Sequence, residues 1–239
     1  MSGDSSPVDI AVDMSGLSPA LLADMGGAAQ IYKECRTALT SAGRTIAEEV
    51  AGDGLETFTH YPRGDVYDPS TCSQYYFHLH RSGEFGHFHT FLRAGGMPAG
   101  VAPDQRFAPP GSGKEALCHL IAIGLDHRGE PGELFTTNRW VTAETWYRAA
   151  DVASMLPYFK IGHDRPSAIA NRWLGAVVTL FRPQIVQLLK ARDLSVESHR
   201  CMVGDALVLE SGDLEVTSSL RVDIDVHVAH VEHLVASRM

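Results

Sequence analysis

The chain has 239 residues, a formal net charge of −9 and a hydrophobic content of 44%, so it is long and apolar enough to bury one sizeable core. The negative charge argues against a broad nucleic-acid or anionic-membrane surface, because both reward clustered Lys and Arg. No run of about 18 apolar residues predicts a transmembrane helix, and residues 1–7 lack the basic and apolar regions of a secretory signal. We therefore expect a cytoplasmic protein that acts on a small molecule, while self-association is left open.

The N-terminal part of the sequence predicts a tail followed by helices. Residues 1–16 are small, polar and acidic, which is typical of a flexible tail, and we expect 17–239 to form a single α+β domain. Ser18 and Pro19 suit an N-cap and the first helical turn. Apolar residues at helical spacing continue to Ala51, and Gly26-Gly27 predicts a break that separates a short helix from a longer one. Residues 57–73 read as a turn-rich passage.

Residues 75–93 stand out because two His-x-His pairs flank a Gly-containing interruption. The aromatic residues between the histidines favour extended chain, and the interruption favours a hairpin loop. Side chains alternate along a strand, so His78 and His80 share one face, as do His87 and His89. Folding back around 81–86 predicts His80 opposite His87 and His78 opposite His89. Opposed Cβ atoms lie roughly 5 Å apart, so several imidazoles could converge on one ion at a metal–nitrogen distance of about 2 Å.

Two further strands are predicted after the hairpin. The apolar run 117–125 suits a central strand, and 133–139 suits a fourth strand, which together predict an antiparallel sheet of at least four strands. Simple alternation places His119 on the same face as Ile121 and Ile123. Beside the hairpin, His119 would be a fifth metal ligand or a partner of a ligand, and an ordinary core histidine is the alternative.

The last hundred residues predict mainly helices. Thr142 can cap a helix over 143–156, and Pro183 should kink or split a helix over 165–192. Residues 206–210 look extended. From about 217 onward the pattern favours helix, although alternation also allows a strand. The expected fold is therefore α+β, with an antiparallel sheet centred on the His-rich hairpin and covered by N-terminal and C-terminal helices.

Part of the hairpin resembles a known metal motif. His78, His80 and Glu84 are similar to the first half of the cupin motif, in which two histidines and a glutamate bind iron, manganese or a similar ion. The resemblance covers seven residues. Phe91 stands where the motif has glycine, no second half follows, and long helices depart from a cupin barrel. The resemblance implies Glu84 as a ligand, whereas the residues alone place it in the loop.

A bound metal ion accounts for the histidine cluster better than a metal-free site does. Neutral imidazoles on a half-buried face leave nitrogen atoms without partners, and protonated ones would repel each other. The predicted ligands are the five histidines His78, His80, His87, His89 and His119. The alternatives are a solvent-exposed aromatic face and a metal-free polar pocket.

The type of ligand limits which metals and which reactions are expected. Imidazole suits several transition metals, and we expect iron first, with copper, zinc or manganese as alternatives. Structural zinc usually has cysteine ligands, and no cysteine lies within 75–93. A metal ion with a coordination position left open would support oxidation if it is iron or copper, or hydrolysis if it is zinc. Tyr67 and Tyr76 could form a wall of a substrate site. Arg93 could clamp a substrate carboxylate or phosphate, or it could pair with a Glu or Asp on the surface.

The sequence lacks the motifs of several other common enzyme mechanisms. The sequence has no G-x-G-x-x-G after a strand, no P-loop, no G-x-S-x-G elbow and no H-E-x-x-H. The leading hypothesis is therefore a metalloenzyme that oxidises a small organic substrate at non-haem iron, an oxygenase-like oxidoreductase whose catalytic residues beyond the ligands are unassigned. The alternative is a non-catalytic protein that binds a metal or a small molecule with the same cluster.

Overall fold

The computed structural model describes residues 12, 14, 16–52, 54–80, 85–107 and 116–238. Six antiparallel strands form one sheet in which each strand pairs with the next along the chain. In order they are β1 Tyr61–Asp68, β2 Ser73–His78, β3 His87–Arg93, β4 Leu117–Leu125, β5 Pro131–Thr137 and β6 Val216–Arg221. The predicted antiparallel sheet that contains the His-rich hairpin is confirmed.

Seven helices complete the described part of the chain. They are α1 Pro19–Ser41, α2 Ile46–Ala51, α3 Arg139–Thr142, α4 Ala149–Met155, α5 Ala168–Leu180, α6 Arg182–Val203 and α7 Ile224–Ser237, with 3-10 turns at Ala94–Gly96, Leu156–Tyr158 and Val208–Glu210. The fold is α+β with helices from both ends of the chain, as predicted. Among the residues described, no helix combines the length and the hydropathy that crossing a bilayer requires.

The helices pack on one face of the sheet. The Tyr75 hydroxyl donates to Asn171 Oδ1 at 2.7 Å, and the Phe88 ring lies 5.7 Å from the ring of Trp173. These β2 and β3 side chains and α5 belong to one large buried apolar cluster, which removes most of the core from water. Because strand residues alternate, the histidines of the hairpin are left on the opposite face.

The predicted break in the first helix is wrong, because α1 continues through Gly26-Gly27. The structural role of Gly26 is close packing: a Cβ atom there would lie 3.1 Å from a methyl group of Val235 on α7. Glycine therefore lets the C-terminal helix approach α1. The chain does leave the helix near Gly43, where φ is 64°, and Thr45 then begins α2 with a capping box.

Residues 57–73 contain a strand that the turn-rich composition conceals. β1 pairs with β2, but its register shifts between Tyr61 and Val66. That irregular stretch contains Gly64 and Asp65, both with positive φ. Turn residues are therefore embedded in the strand, which explains why periodicity alone missed it.

The C-terminal elements differ from the prediction in three places. The helix predicted from 143 begins only at Ala149, because Ala143 adopts a left-handed conformation that ends α3. Residues 206–210 contain a 3-10 turn instead of an extended segment. Strand β6 precedes the last helix, so α7 begins at Ile224 and not near 217.

Two boundary predictions have different outcomes. The split at Pro183 is confirmed, because α6 begins at Arg182 with the proline in its first turn. Only residues 12, 14 and 16 of the predicted tail are described, and Met14 is buried in the core. The single domain and its flexible tail stay predictions, and Glu84 lies outside the described residues.

Candidate metal centre

The pairing of β2 with β3 is shifted by two residues from the predicted register. His78 pairs with His87, and Tyr76 pairs with His89. Strand β2 ends at His78, so His80 lies beyond the strand in the connection to β3. The predicted pairs of His80 with His87 and of His78 with His89 are therefore wrong, because the hairpin connection is longer than the Ser-Gly interruption suggested.

Three histidines converge in spite of this shift. Within the described part of the chain, His78, His87 and His89 each offer a nitrogen atom, and these atoms all lie within 4.8 Å of one another. The Nε2 atoms of His78 and His87 are 2.8 Å apart. Ligand nitrogens about 2.1 Å from one ion are separated by roughly 3.0 to 3.4 Å in octahedral or tetrahedral geometry. Small side-chain movements would thus bring the three nitrogens to one ion, and we call these residues the His triad.

Two more imidazoles border the His triad. The His80 ring lies 4.7 Å from the His78 ring and 5.2 Å from the His87 ring. His60, just before β1, stacks on Tyr76 at 3.8 Å and meets His78 edge-on at 5.3 Å. Sequence reasoning missed His60, because its approach depends on the pairing of β1 with β2.

His119 reaches the same face because β4 contains a bulge. Thr90 pairs with Ile121 and Phe91 pairs with His119, so Leu120 is an extra residue in β4. The bulge reverses the alternation between His119 and Ile121. The prediction that His119 shares the face of Ile121 and Ile123 is therefore wrong, although β4 does pair beside the hairpin. His119 Nε2 lies 3.0 Å from His89 Nδ1, so it contacts a member of the His triad from outside.

Burial keeps these imidazoles neutral. Loss of solvation first, and repulsion from neighbouring histidines second, lower the pKa of His78 from 6.5 to about 4 and the pKa of His87 to about 3. The pKa of His89 is also well below its ordinary value, first through burial and then through His119. A neutral imidazole has an unprotonated nitrogen, which is the form that binds a metal.

Small side chains leave space beside the His triad. A cleft of about 440 Å³ is lined by His87, His89, Gly124 and Phe135, among others. In the register of the sheet, Gly124 lies between His87 and Glu133, and Ala122 lies between His89 and Phe135. Because neither β4 residue has a long side chain, the cleft opens next to two triad members.

The predicted substrate residues lie elsewhere on this face. Tyr76 is buried, with its ring 5.3 Å from His78 and 5.1 Å from His89. Arg93 donates from Nε to Gln74 Oε1 at 2.8 Å and lies over the exposed Tyr67 ring. Neither Tyr67, Tyr76 nor Arg93 lines the cleft. Their part in substrate binding stays a prediction.

A buried carboxyl group behind His119 was not anticipated. Glu144 is 1% exposed, and its Oε2 accepts a hydrogen bond from the His119 backbone N–H at 2.8 Å. Burial raises the pKa of Glu144 from 4.5 to about 7, while Arg192 acts in the opposite direction. Its position after Thr142 looked like the first turn of a helix, so the sequence carried no signal of burial.

Comparison with known proteins identifies a family without a described activity. The model of a family described as "Domain of unknown function (DUF6969)" matches residues 26–222, a range that includes the His triad and all six strands. No curated protein and no solved structure matches the chain.

Proposed function

The chain belongs to the DUF6969 family, and we propose that it is a metal-dependent enzyme in which the His triad binds one divalent transition metal ion. The observation that supports this proposal is the position of the His triad at the wall of a cleft. His87 and His89 both contribute to the triad and line the cleft. An ion held there by three protein ligands would keep a coordination position open towards the cleft, as catalytic ions do.

The surroundings of His89 favour ligation through a defined nitrogen. A ligating histidine usually donates its other ring N–H to a neighbouring acceptor. His89 Nδ1 faces His119 Nε2 at 3.0 Å, so donation from His89 to His119 leaves His89 Nε2 unprotonated. We therefore assign His119 as a positioning residue for His89 and not as a ligand.

Iron is the metal we propose first, with copper, zinc or manganese as alternatives. Three neutral imidazoles match the preference of these ions for nitrogen, and the cleft supplies room for a small organic substrate. When bound, iron supplies the means of oxidising the substrate with dioxygen. The protein's own contribution is to hold three neutral nitrogens and to present the substrate from the cleft.

A non-catalytic binding protein is the second candidate, and the position of His80 favours it. The His80 ring lies within 5.2 Å of both His78 and His87. A fourth imidazole from His80 would close a tetrahedral site and leave no place for a substrate. The two candidates therefore differ in whether His80 is bound to the ion.

The experiment is elemental analysis of untagged protein, followed by X-ray absorption spectroscopy of the metal-loaded form. We expect about one transition metal ion per chain, bound by three imidazoles and at least one exchangeable water. Less than about 0.1 ion per chain after reconstitution contradicts a metal site. Four imidazoles without water would instead support the binding protein.

Activity provides the test of the enzyme itself. Iron-loaded protein should consume dioxygen when a substrate that fits the cleft is present, and His87→Gln should consume none. The matched control is His233→Gln, because His233 is an exposed histidine on α7. Full oxygen consumption by His87→Gln would contradict the proposed function.

A further inference from the structure

The cleft beside the His triad carries a second polar feature that the metal does not use. Thr137 lines the cleft and is 2% exposed. Its hydroxyl Oγ1 is buried and has no hydrogen-bond partner among the described residues. An unpaired buried hydroxyl costs free energy, so this group indicates a ligand that hydrogen-bonds to it.

Thr137 faces the cleft because of its place in β5. The Phe135 ring contacts the rings of His87 at 5.2 Å and His89 at 6.2 Å. Thr137 follows two residues later in the same strand, so its side chain lies on the same face. Val216 pairs with Thr137 across the sheet, and the backbone oxygen of Glu215 accepts from Asn138 N at 2.8 Å. This bond holds the Glu215 backbone next to the end of β5, and Glu215 and Thr137 both line the cleft.

The charge of the cleft is negative apart from any bound ion. Glu133 and Glu215 line it. Among the described residues no Lys or Arg lines it, and neither carboxylate has a side-chain hydrogen bond or ion pair. Arg221 pairs with Glu133 in the sheet register without forming an ion pair. An anionic ligand would meet two unpaired carboxylates here, whereas a cationic one would neutralise them.

The rest of the lining is apolar. It consists mainly of Phe85, Leu125, Phe135, Val141 and Val216, and Phe85 and Val216 are exposed at 51% and 47%. Such walls favour a ligand with an apolar body. A cleft of about 440 Å³ is of the size that holds a small molecule.

We propose that the cleft binds a small primary amine with an apolar, aromatic body as the substrate of the His triad. The ammonium group donates to Thr137 Oγ1 and to the Glu215 carboxylate, and the apolar body packs on Phe135. This orientation keeps the ammonium charge at the end of the cleft away from His87 and directs the other end of the molecule towards the His triad. The assignment of the amine as substrate rests on the proposed function.

Isothermal titration calorimetry with three probes of one shape tests the proposal. The probes are 2-phenylethylamine, 3-phenylpropanoate and 2-phenylethanol, titrated into the full-length protein with its metal content recorded. We expect the amine to bind at least tenfold more tightly than the carboxylate. Equal or tighter binding of the carboxylate overturns the proposal, as does the absence of binding by the amine at millimolar concentration.

Variants locate the binding site. Glu215→Gln and Thr137→Val should each weaken amine binding by about fivefold, which corresponds to roughly 1 kcal/mol, and leave 2-phenylethanol unchanged. Glu34→Gln is the charge-matched control, since Glu34 lies on α1 among the helices and pairs with Arg172. Thermal unfolding shows whether each variant is folded. Unchanged amine affinity in both folded variants overturns the assignment.

The metal measurement separates this inference from the proposed function. If the protein prefers the amine but retains no metal, the proposed function is contradicted, while the preference of the cleft for amines still stands. Protein that retains metal but prefers the carboxylate would contradict only the inference. Each result is therefore attributable to one of the two proposals.

Discussion

His89 Nδ1 lies 3.0 Å from His119 Nε2 across the boundary between β3 and β4. Both rings are almost completely buried, so neither nitrogen can exchange this partner for water. One of the two must donate and the other must accept. When His89 is the donor, its Nε2 atom is the nitrogen left free to bind an ion, and His119 then orients a proposed ligand without being a ligand itself.

Replacing His119 should weaken metal binding without abolishing it. We expect His119→Phe to lower the metal affinity about 10- to 100-fold, because His89 loses the acceptor that orients it. His119→Gln should retain more affinity, since its amide oxygen can accept the same hydrogen bond. Competition with a chromogenic chelator measures both. Equal affinities for the wild type and the Phe variant would show that the contact does not orient His89.

Removing a triad histidine should have a larger effect. His78→Gln and His89→Gln should each retain less than about a tenth of the metal of the wild-type protein, because two nitrogens remain. His233→Gln serves as the control, and elemental analysis after dialysis gives the readout. If both triad variants keep a full complement of metal, the ligands have been assigned to the wrong residues.

The metal-free protein should lose stability on mild acidification. His78 and His87 have folded-state pKa values of about 4 and about 3, against 6.5 ordinarily. Between about pH 6.5 and pH 4 the unfolded chain therefore binds protons that the folded chain does not, and the free energy of unfolding falls as pH falls. Urea unfolding in the presence of a chelator measures this slope.

The double variant His78→Gln/His87→Gln is the control for that experiment. Without these imidazoles, the free energy of unfolding should depend less steeply on pH over the same interval. An identical slope in the variant would show that other groups cause the acid sensitivity.

Glu144 should behave in the opposite way. Its folded-state pKa is about 7 against 4.5 ordinarily, so the folded protein binds the extra proton between these values and loses stability as pH rises through them. Glu144→Gln removes that loss. The stability of this variant relative to the wild type should increase from pH 5 to pH 8 in urea unfolding. A constant difference would mean that the carboxyl group is not held in its neutral form.

A larger side chain in the cleft should weaken substrate binding without affecting metal binding. Gly124 has negative or extended φ, and a Cβ atom there would lie 3.4 Å from Glu133 Cβ, so the Cβ atom of a larger residue meets its neighbours at ordinary contact distance. Gly124→Val should keep the metal and weaken amine binding, whereas Gly124→Ala should have a smaller effect. Loss of metal from the Val variant would show that the position supports the His triad instead of the ligand.

Much of the fold could be predicted from local patterns. The run 117–125 has the apolar content of a strand and matches β4, and Pro183 marks a helix boundary in both sequence and structure. The strand predicted over 133–139 exists as β5, but it spans Pro131–Thr137, and Arg139 already begins α3. β1 was missed because Gly64 and Asp65 interrupt its periodicity with positive φ values. The break expected at Gly26 was wrong because close packing of α7 is a tertiary effect that intrinsic helix propensity does not contain.

The candidate site was predicted in its residue types but not in its register. His-x-His spacing correctly indicated a shared face for His87 and His89, but His80 lies beyond the end of β2. The pairing of His78 with His87 depends on a connection longer than the visible turn signal. His60 and Glu144 reach the neighbourhood of the His triad through β1 and through the segment after α3. Contacts between residues so distant in sequence cannot be read from periodicity.

The bulge at Leu120 ties the two faces of β4 to one extra residue. On one side of the bulge His119 faces His89, and on the other side Ile121 and Ile123 belong to the buried apolar cluster. Leu120 has no partner on β3, so deleting it would leave His119 opposite Phe91 and Ile121 opposite Thr90 and would keep both faces. Deleting Ala122 would instead move Ile123 opposite His89, on the cleft face. The bulge is therefore the position where β4 could lose a residue without exchanging its faces.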